Sequence, residues 1–138
     1  MCYFIDTNIF IFLCSEDHDE LTPDVRDLFD DYGNMFIMSS ESLQEIALLL
    51  KKGKIGLKNW KSYQDVMDSV ENNNIAIRYV DKAHMKTLYK LDLIPDHSDP
   101  ADLMIISQAI AENIDLISSD REFKDYMPQG LKLIPNYR

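Results

Sequence analysis

The sequence predicts an α/β fold, specifically an α/β/α sandwich with a mainly parallel central sheet of about four to five short strands. Short apolar runs, such as residues 2–5 and 114–118, lack the alternation of polar and apolar residues that is typical of a half-exposed strand, so both of their faces should be covered. Segments with helical spacing of apolar residues separate these runs. Alternating strands and helices are typical of parallel sheets.

The first half of the chain predicts two strands and four helices. Residues 2–5 form the first strand, the turn Asp6-Thr7-Asn8 follows, and residues 9–13 begin a helix. A helix over 21–32 ends at Gly33, and a strand over 35–38 leads into serines that can cap a helix over 41–50. A further helix is predicted over 57–70, with one apolar face formed by Trp60, Tyr63, Val66, Met67 and Val70.

The second half predicts a strand over 75–80, a helix over 82–91 and a polar loop over 95–98. Asp99-Pro100 is a typical helix start, with a capping carboxylate followed by proline at the first helical position, and this helix should run to about residue 112. A strand over 114–118, a short helix over 120–126 and an edge strand over 131–134 complete the pattern.

Composition favours a single domain, residues 1–138, that is unexported and cytoplasmic. The chain has 138 residues, of which 46% are hydrophobic, and it has no apolar run of about 18 residues that could cross a membrane. Its two cysteines, Cys2 and Cys14, are too few for a disulfide framework or a zinc cluster. His18, His84 and His97 follow no metal-ligand spacing, and each is predicted to be a surface or structural residue.

The charge is distributed unevenly along the chain. The net charge is −10, but residues 51–61 contain five lysines and no acid, which leaves −15 for the rest of the chain. Lys51, Lys52 and Lys54 are therefore candidates for contact with the phosphate backbone of a nucleic acid, and a solvated lysine-rich turn is the alternative.

Four carboxylates occupy positions that favour a shared metal site. Asp6 and Asp120 follow predicted strands, and sites in open α/β sheets lie beyond the carboxyl ends of the strands. Asp102 falls in the first turn of its helix, and Glu45 lies in a helix between two inward apolar residues. Any single acid is most often a solvated surface charge. Four that converge would repel one another, and a hard divalent cation such as Mg²⁺ or Mn²⁺ would remove that cost.

In their order, these segments resemble a PIN domain, and among PIN domains the VapC-type toxins of toxin-antitoxin pairs. The resemblance covers the whole chain and rests on four segments: Asp6-Thr7-Asn8 after an apolar strand, 39–45, 99–109 and 116–120. It implies a metal-dependent endoribonuclease in which Asp6, Glu45, Asp102 and Asp120 hold one or two Mg²⁺ or Mn²⁺ ions. Thr7, Asn8 and Ser118 match polar positions that orient acids or water in the family.

The resemblance also implies partners. An antitoxin protein is expected, homodimers are common in the family, and residues 9–13 with 60–63 could form a groove for an amphipathic antitoxin segment or belong to the core. The chain departs from many of these toxins at Ala101 and Leu103, where they have a bulky residue before the acid and an arginine after it.

Two other classes remain as alternatives. One is a catalytically weak or inactive metal-binding module that serves as an RNA or protein interaction platform. The other is a different α/β enzyme or switch: a HAD-like phosphatase would need a second aspartate at position 8, where this chain has Asn8, and a receiver domain would need an aspartate after strand 35–38, where serines follow.

Overall fold

The computed structural model describes residues 1–15 and 18–138, except for the side chain of His18. The strands are β1 (Cys2–Ile5), β2 (Met35–Ser39), β3 (Ile75–Arg78), β4 (Asp115–Ser118) and β5 (Leu133–Pro135). The α-helices are α1 (Thr7–Cys14), α2 (Pro23–Asp30), α3 (Ser40–Lys51), α4 (Tyr63–Asn72), α5 (Lys82–Lys90) and α6 (Pro100–Glu112). Two 3₁₀ helices span His18–Glu20 and Arg121–Gln129.

The five strands form one parallel sheet in the order β3-β2-β1-β4-β5, which confirms the predicted fold class. The central strand β1 pairs with β2 on one side and with β4 on the other, with Ile5 opposite Ile117. The chain leaves β1 toward β2 and leaves β4 toward β5, so the strand order reverses between these two neighbours. A crevice is expected at the carboxyl ends of strands where the order reverses in this way.

Both faces of the sheet are buried, as the strands without alternation predict. Tyr3 and Ile5 point to one face and pack with residues from α1 to α4, whereas Phe4 points to the other face and packs with α6 and the 3₁₀ helix Arg121–Gln129. Successive strand residues point to opposite faces, so each short strand contributes to two cores.

The predicted helix over 57–70 is wrong at its beginning, because α4 starts only at Tyr63. Ser62 caps it and forms a reciprocal capping box with Asp65. Trp60 lies in the preceding loop, is buried, and stacks on Phe10 with ring centroids 5.6 Å apart. Trp60 fits the helical period of the sequence, but it lies in a loop, where tertiary contacts hold its ring.

Smaller differences occur at other boundaries. The strand predicted over 75–80 ends at Arg78, and the segment predicted as a short helix over 120–126 is a longer 3₁₀ helix. Of the predicted groove residues, Ile9, Phe10 and Trp60 are buried in the core, residues 11–13 are partly buried against it, and residues 61–63 are exposed. Among the described residues, no helix is long and apolar enough to span a membrane.

Candidate metal centre

Asp6 follows β1 and is almost completely buried, with 5% of its surface exposed. Its Oδ1 caps α1 by accepting the Ile9 N–H at 2.9 Å, and its Oδ2 accepts a short hydrogen bond from the Ser118 hydroxyl. Burial raises the pKa of Asp6 from 3.8 to about 6, even though both hydrogen bonds act in the opposite direction. The nearby carboxylates of Asp120 and Glu45 raise the pKa further.

Ser118 links two of the predicted acids across β1 and β4. While its hydroxyl donates to Asp6, its oxygen accepts the Asp120 N–H at 3.0 Å. Asp120 in turn caps the following 3₁₀ helix, where its Oδ1 accepts the Glu122 N–H at 2.9 Å. The positions of both aspartates are thus fixed by backbone groups and by one shared serine.

Asp102 lies in the first turn of α6, as predicted. Asp99 is the N-cap, and its Oδ1 accepts the N–H groups of Ala101 at 2.9 Å and Asp102 at 3.1 Å. Burial raises the pKa of Asp102 from 3.8 to about 7, and the negative charges of Asp99, Asp120, Glu45 and Asp6 add to the rise. Because an unpaired carboxylate repels its neighbours, this half-buried group resists ionisation when no cation is present.

Glu45 reaches the same place from α3. A buried hydrogen bond of 2.9 Å from the Thr7 hydroxyl to the Ser42 hydroxyl joins α1 to α3 one turn before Glu45. Ser39 caps this helix by accepting the Glu41 N–H, and the buried residues Leu43 and Ile46 fix which face points inward. Glu45 is therefore half-buried on the inward edge of an anchored helix.

The four predicted acids line one small cleft. Its lining consists of Asp6, Thr7, Asn8, Glu45, Asp99, Asp102, Asp120 and Phe123. Every charged residue in this lining is an acid, so the cleft concentrates negative charge. Ser118 lies behind Asp6, whereas Thr7 and Asn8 are at the surface of the cleft itself.

His97 is buried, as a structural histidine is expected to be, and it lies beside two of the acids although it does not line the cleft. The imidazole is buried, its Nδ1 lies 2.9 Å from the Tyr126 hydroxyl, and its Nε2 lies 3.6 Å from Asp102 Oδ2. One ligand atom from each of His97, Asp102 and Asp120 lies within 4.8 Å of the others. A search for fixed metal-ligand spacing cannot find this histidine, because it reaches the acids from a loop. Its position two residues before the Asp99-Pro100 helix start was the available signal.

The predicted residues His84, Lys51, Lys52 and Lys54 do not line the acidic cleft. His84 is a structural residue, as predicted, since its buried ring contacts Glu112 at 2.7 Å, and the His18 side chain lies outside the described residues. Lys51, Lys52 and Lys54 are exposed at and beyond the end of α3 and do not line the cleft.

The donor set fits a divalent cation. Carboxylate oxygens are the ligands that Mg²⁺ and Mn²⁺ prefer in proteins. Burial raises the pKa values of Asp6 and Asp102, the neighbouring acids raise them further, and no basic residue lines the cleft to offset this charge. One oxygen each of Asp102 and Asp120 and a nitrogen of His97 lie within 4.8 Å of one another. Each Asp6 oxygen accepts one hydrogen bond and keeps a further lone pair, so Asp6 can still bind an ion together with the other acids of the cleft.

The PIN domain family model matches residues 3–127 of this chain. The structure is similar to VapBC2 from Rickettsia felis, solved with a DNA fragment from its promoter, at 24% sequence identity and a TM-score of 0.71 over 98% of each chain. It is also similar to VapBC-1 from nontypeable Haemophilus influenzae, at 20% identity and a TM-score of 0.68 over 98% of each chain.

A third similar structure is Mycobacterium tuberculosis VapC20, a toxin that cleaves the sarcin-ricin loop. It has 14% identity and a TM-score of 0.62 over 89% of this chain and 93% of that one. At these identities the likenesses support the fold alone. No curated protein sequence matches the chain at a significant level.

Proposed function

Because the chain belongs to the PIN domain family, we propose that it is a metal-dependent endoribonuclease that hydrolyses RNA phosphodiester bonds. The observation that supports this most directly is the convergence of Asp6, Glu45, Asp102 and Asp120 on one cleft from four different elements. Such convergence of like charges costs free energy, and a bound divalent cation would offset that cost.

The proposed cofactor is Mg²⁺ or Mn²⁺, held by Asp6, Glu45, Asp102 and Asp120. When bound, a divalent cation activates water as a nucleophile and stabilises the extra negative charge on a phosphate. The protein's own contribution is to hold its carboxylates in place. Ser118 orients Asp6 by a direct hydrogen bond and supports Asp120 through the backbone, and the contact between Thr7 and Ser42 fixes the helix that presents Glu45.

Asn8 adds to the cleft an exposed polar group that suits a nucleic acid. Asn8 is exposed at the first turn of α1, where its amide can bond to a phosphate or a base. The three exposed lysines, Lys51, Lys52 and Lys54, lie at and beyond the end of the helix that carries Glu45. Lys51, its last residue, is roughly 9 Å from Glu45 along the axis at 1.5 Å per residue. We propose that an RNA backbone runs from the cleft toward these lysines.

We further propose that the chain is the toxin of a toxin-antitoxin pair. The similar structures include a toxin-antitoxin complex from Klebsiella pneumoniae and DNA-bound VapBC from Salmonella typhimurium, and the latter covers 98% of both chains. By analogy, an antitoxin protein is the expected partner and a homodimer the expected assembly. Co-expression with the small protein encoded next to this one tests the partner: the pair should co-purify, and growth arrest by this chain alone should be relieved.

Cleavage of RNA is the direct test of the nuclease proposal. Metal-stripped protein would be incubated with total bacterial RNA and Mn²⁺, and new 5′ ends would be mapped by sequencing. We expect cuts at defined positions with the wild type and a loss of roughly 100-fold or more with Asp102→Asn, since even residues that only support metal ligands contribute about 10- to 100-fold. Asp27→Asn, which changes an exposed acid on α2, is the matched control and should cut like the wild type.

The same experiment distinguishes a nuclease from a metal-binding module without catalytic activity. Manganese binding that depends on Asp102, without any RNA cut, would replace the nuclease by a metal-binding platform. Equal cleavage by the wild type and Asp102→Asn would contradict the proposed site.

A further inference from the structure

We propose that His97 supplies a nitrogen ligand to the cation in this cleft and thereby makes the centre favour Mn²⁺ over Mg²⁺. The inference rests on the proposed function in one respect, because it requires a divalent cation between the acids. It adds a ligand of a different chemical kind from the four carboxylates.

The first argument is an unpartnered buried atom. The His97 side chain is only 4% exposed, and its Nε2 has no hydrogen-bond partner among the described residues. Buried polar atoms in folded proteins are nearly always paired, because an unpaired one has lost its water and gained nothing in return. This buried imidazole nitrogen is therefore a candidate to bind an ion.

The second argument is the position of His97 Nε2 relative to the carboxylates. Two carboxylate oxygens lie near Nε2, Asp102 Oδ2 at 3.6 Å and Glu122 Oε2 at 3.8 Å, and both are too far for a hydrogen bond. Ligand atoms of His97, Asp102 and Asp120 lie within 4.8 Å of one another. Two ligands of one such ion lie at most about 4.5 Å apart, since each bond is about 2.0–2.3 Å long. A small rotation of a half-buried carboxylate therefore brings all three atoms around one ion.

The third argument is the support behind the ring. His97 Nδ1 lies 2.9 Å from the hydroxyl of Tyr126, which is fully buried and also accepts the Ile94 N–H at 3.3 Å. When the hydroxyl accepts the Nδ1 proton, the lone pair of Nε2 is free and faces the acids. Metal-bound histidines usually have this arrangement, in which the second nitrogen donates to a fixed acceptor that orients the ring.

His84 shows that not every buried histidine of this chain has a free nitrogen. It is as buried as His97, but its Nε2 contacts Glu112 at 2.7 Å and its Nδ1 accepts the Asp81 N–H at 3.1 Å. Both nitrogens are satisfied, and the ring belongs to the cap of α5. His84 is therefore a matched control for His97.

A nitrogen ligand changes which metal the centre prefers. Mg²⁺ is a hard ion that favours oxygen, whereas Mn²⁺ and later divalent metals accept imidazole more readily. We therefore expect His97→Gln to weaken Mn²⁺ binding by about tenfold or more in calorimetry, by comparison with the effect of losing metal-site support. Mg²⁺ binding should change much less, and His84→Gln should leave the affinities for both metals near the wild-type values.

Pulsed electron paramagnetic resonance of Mn²⁺ bound to the wild type tests the ligand itself and does not depend on whether a variant folds. We expect a nitrogen coupling that changes when the protein is labelled with ¹⁵N-histidine, that disappears in His97→Gln and that remains in His84→Gln. Mn²⁺ that binds in an Asp102-dependent manner without any histidine coupling would overturn the inference and leave the nuclease proposal standing. Absence of any Mn²⁺ binding would overturn both.

Discussion

At the scale of single residues, the site depends on side chains that fix other side chains. Ser118 is the clearest example, because one hydroxyl donates to Asp6 and accepts the N–H of Asp120. Asp6 has almost no exposed surface, so its charge is stabilised mainly by the Ser118 hydroxyl and the Ile9 N–H. Hydrogen bonds to a buried charge contribute more than ordinary ones, which makes this serine a positioning residue.

Replacing Ser118 by alanine should therefore affect both stability and metal binding. The free energy of unfolding should fall by about 1.5–3 kcal/mol, the usual contribution of a hydrogen bond to a charged group. Mn²⁺ affinity should fall by roughly 10- to 100-fold, as for other residues that orient metal ligands. Urea unfolding and calorimetry measure the two quantities.

Ser107→Ala is the matched control for this change. Ser107 is also fully buried, but its hydroxyl donates to the Leu103 carbonyl within α6, away from the acids. A similar loss of Mn²⁺ affinity in both variants would show that Ser118 acts only through stability.

At the scale of elements, three of the four acids, Asp6, Asp102 and Asp120, lie at a strand end or a helix start, and Glu45 lies within α3. Asp6 and Asp120 cap the helices that follow β1 and β4, and these helices pack on opposite faces of the sheet. Asp102 is placed by the cap of α6, and Leu103 beside it packs into the core. A leucine there accordingly supports the helix from inside, where many VapC-type toxins have an arginine.

The helix α3 connects the acidic cleft to the exposed lysines, which leads to a prediction about RNA binding. Changing Lys51, Lys52 and Lys54 together to glutamine should weaken RNA binding. It should also reduce the slope of log affinity against log salt concentration by about 2, since each phosphate contact on a single strand contributes about 0.7. Fluorescence anisotropy with a labelled single-stranded RNA in EDTA, at several salt concentrations, measures the slope.

The corresponding control removes three exposed lysines from α5, Lys82, Lys86 and Lys90, and so changes the net charge equally. If both triple variants reduce the slope by the same amount, the effect belongs to the total charge, and the lysines after Glu45 form no specific path for RNA.

At the scale of the whole molecule, the acidic cleft makes the stability of the metal-free protein depend on pH. The folded state raises the pKa of Asp6 to about 6 and that of Asp102 to about 7, above the ordinary value of 3.8. Between about pH 4 and pH 7 the folded protein therefore binds more protons than the unfolded chain. Stability must then fall as the pH rises from about 4, and the loss is complete near pH 8, about one unit above the pKa of Asp102.

The fall of stability with rising pH can be measured. In EDTA, wild-type protein should lose stability between about pH 4 and pH 8, and Asp6→Asn should remove part of that loss, up to about 3 kcal/mol from the shift of Asp6 at 1.36 kcal/mol per pH unit. Urea unfolding at several pH values measures both proteins. Mn²⁺ at about 100 times its dissociation constant should restore about 2.7 kcal/mol to the wild type at pH 8. A wild type that becomes more stable with pH, in parallel with the variant, would contradict the raised pKa.

The sequence by itself determined the layers of the fold and most of the acidic set. Strands without alternation required a sheet covered on both faces, and helix starts such as Asp99-Pro100 placed Asp102 correctly because capping is a local property of the chain. The sequence also predicted that Asp6 and Asp120 lie close together, since both follow strands and the carboxyl ends of parallel strands share one edge of the sheet.

Only the tertiary structure decided which other groups meet these acids. Trp60 matched a helical period but belongs to a loop, because its burial against Phe10 depends on contacts across the fold. His97 followed no ligand spacing, and its place beside Asp102 depends on Tyr126, 29 residues further along the chain. Local patterns specify helices, strands and caps, whereas contacts between distant segments and the desolvation that raises the pKa values exist only once the chain has folded.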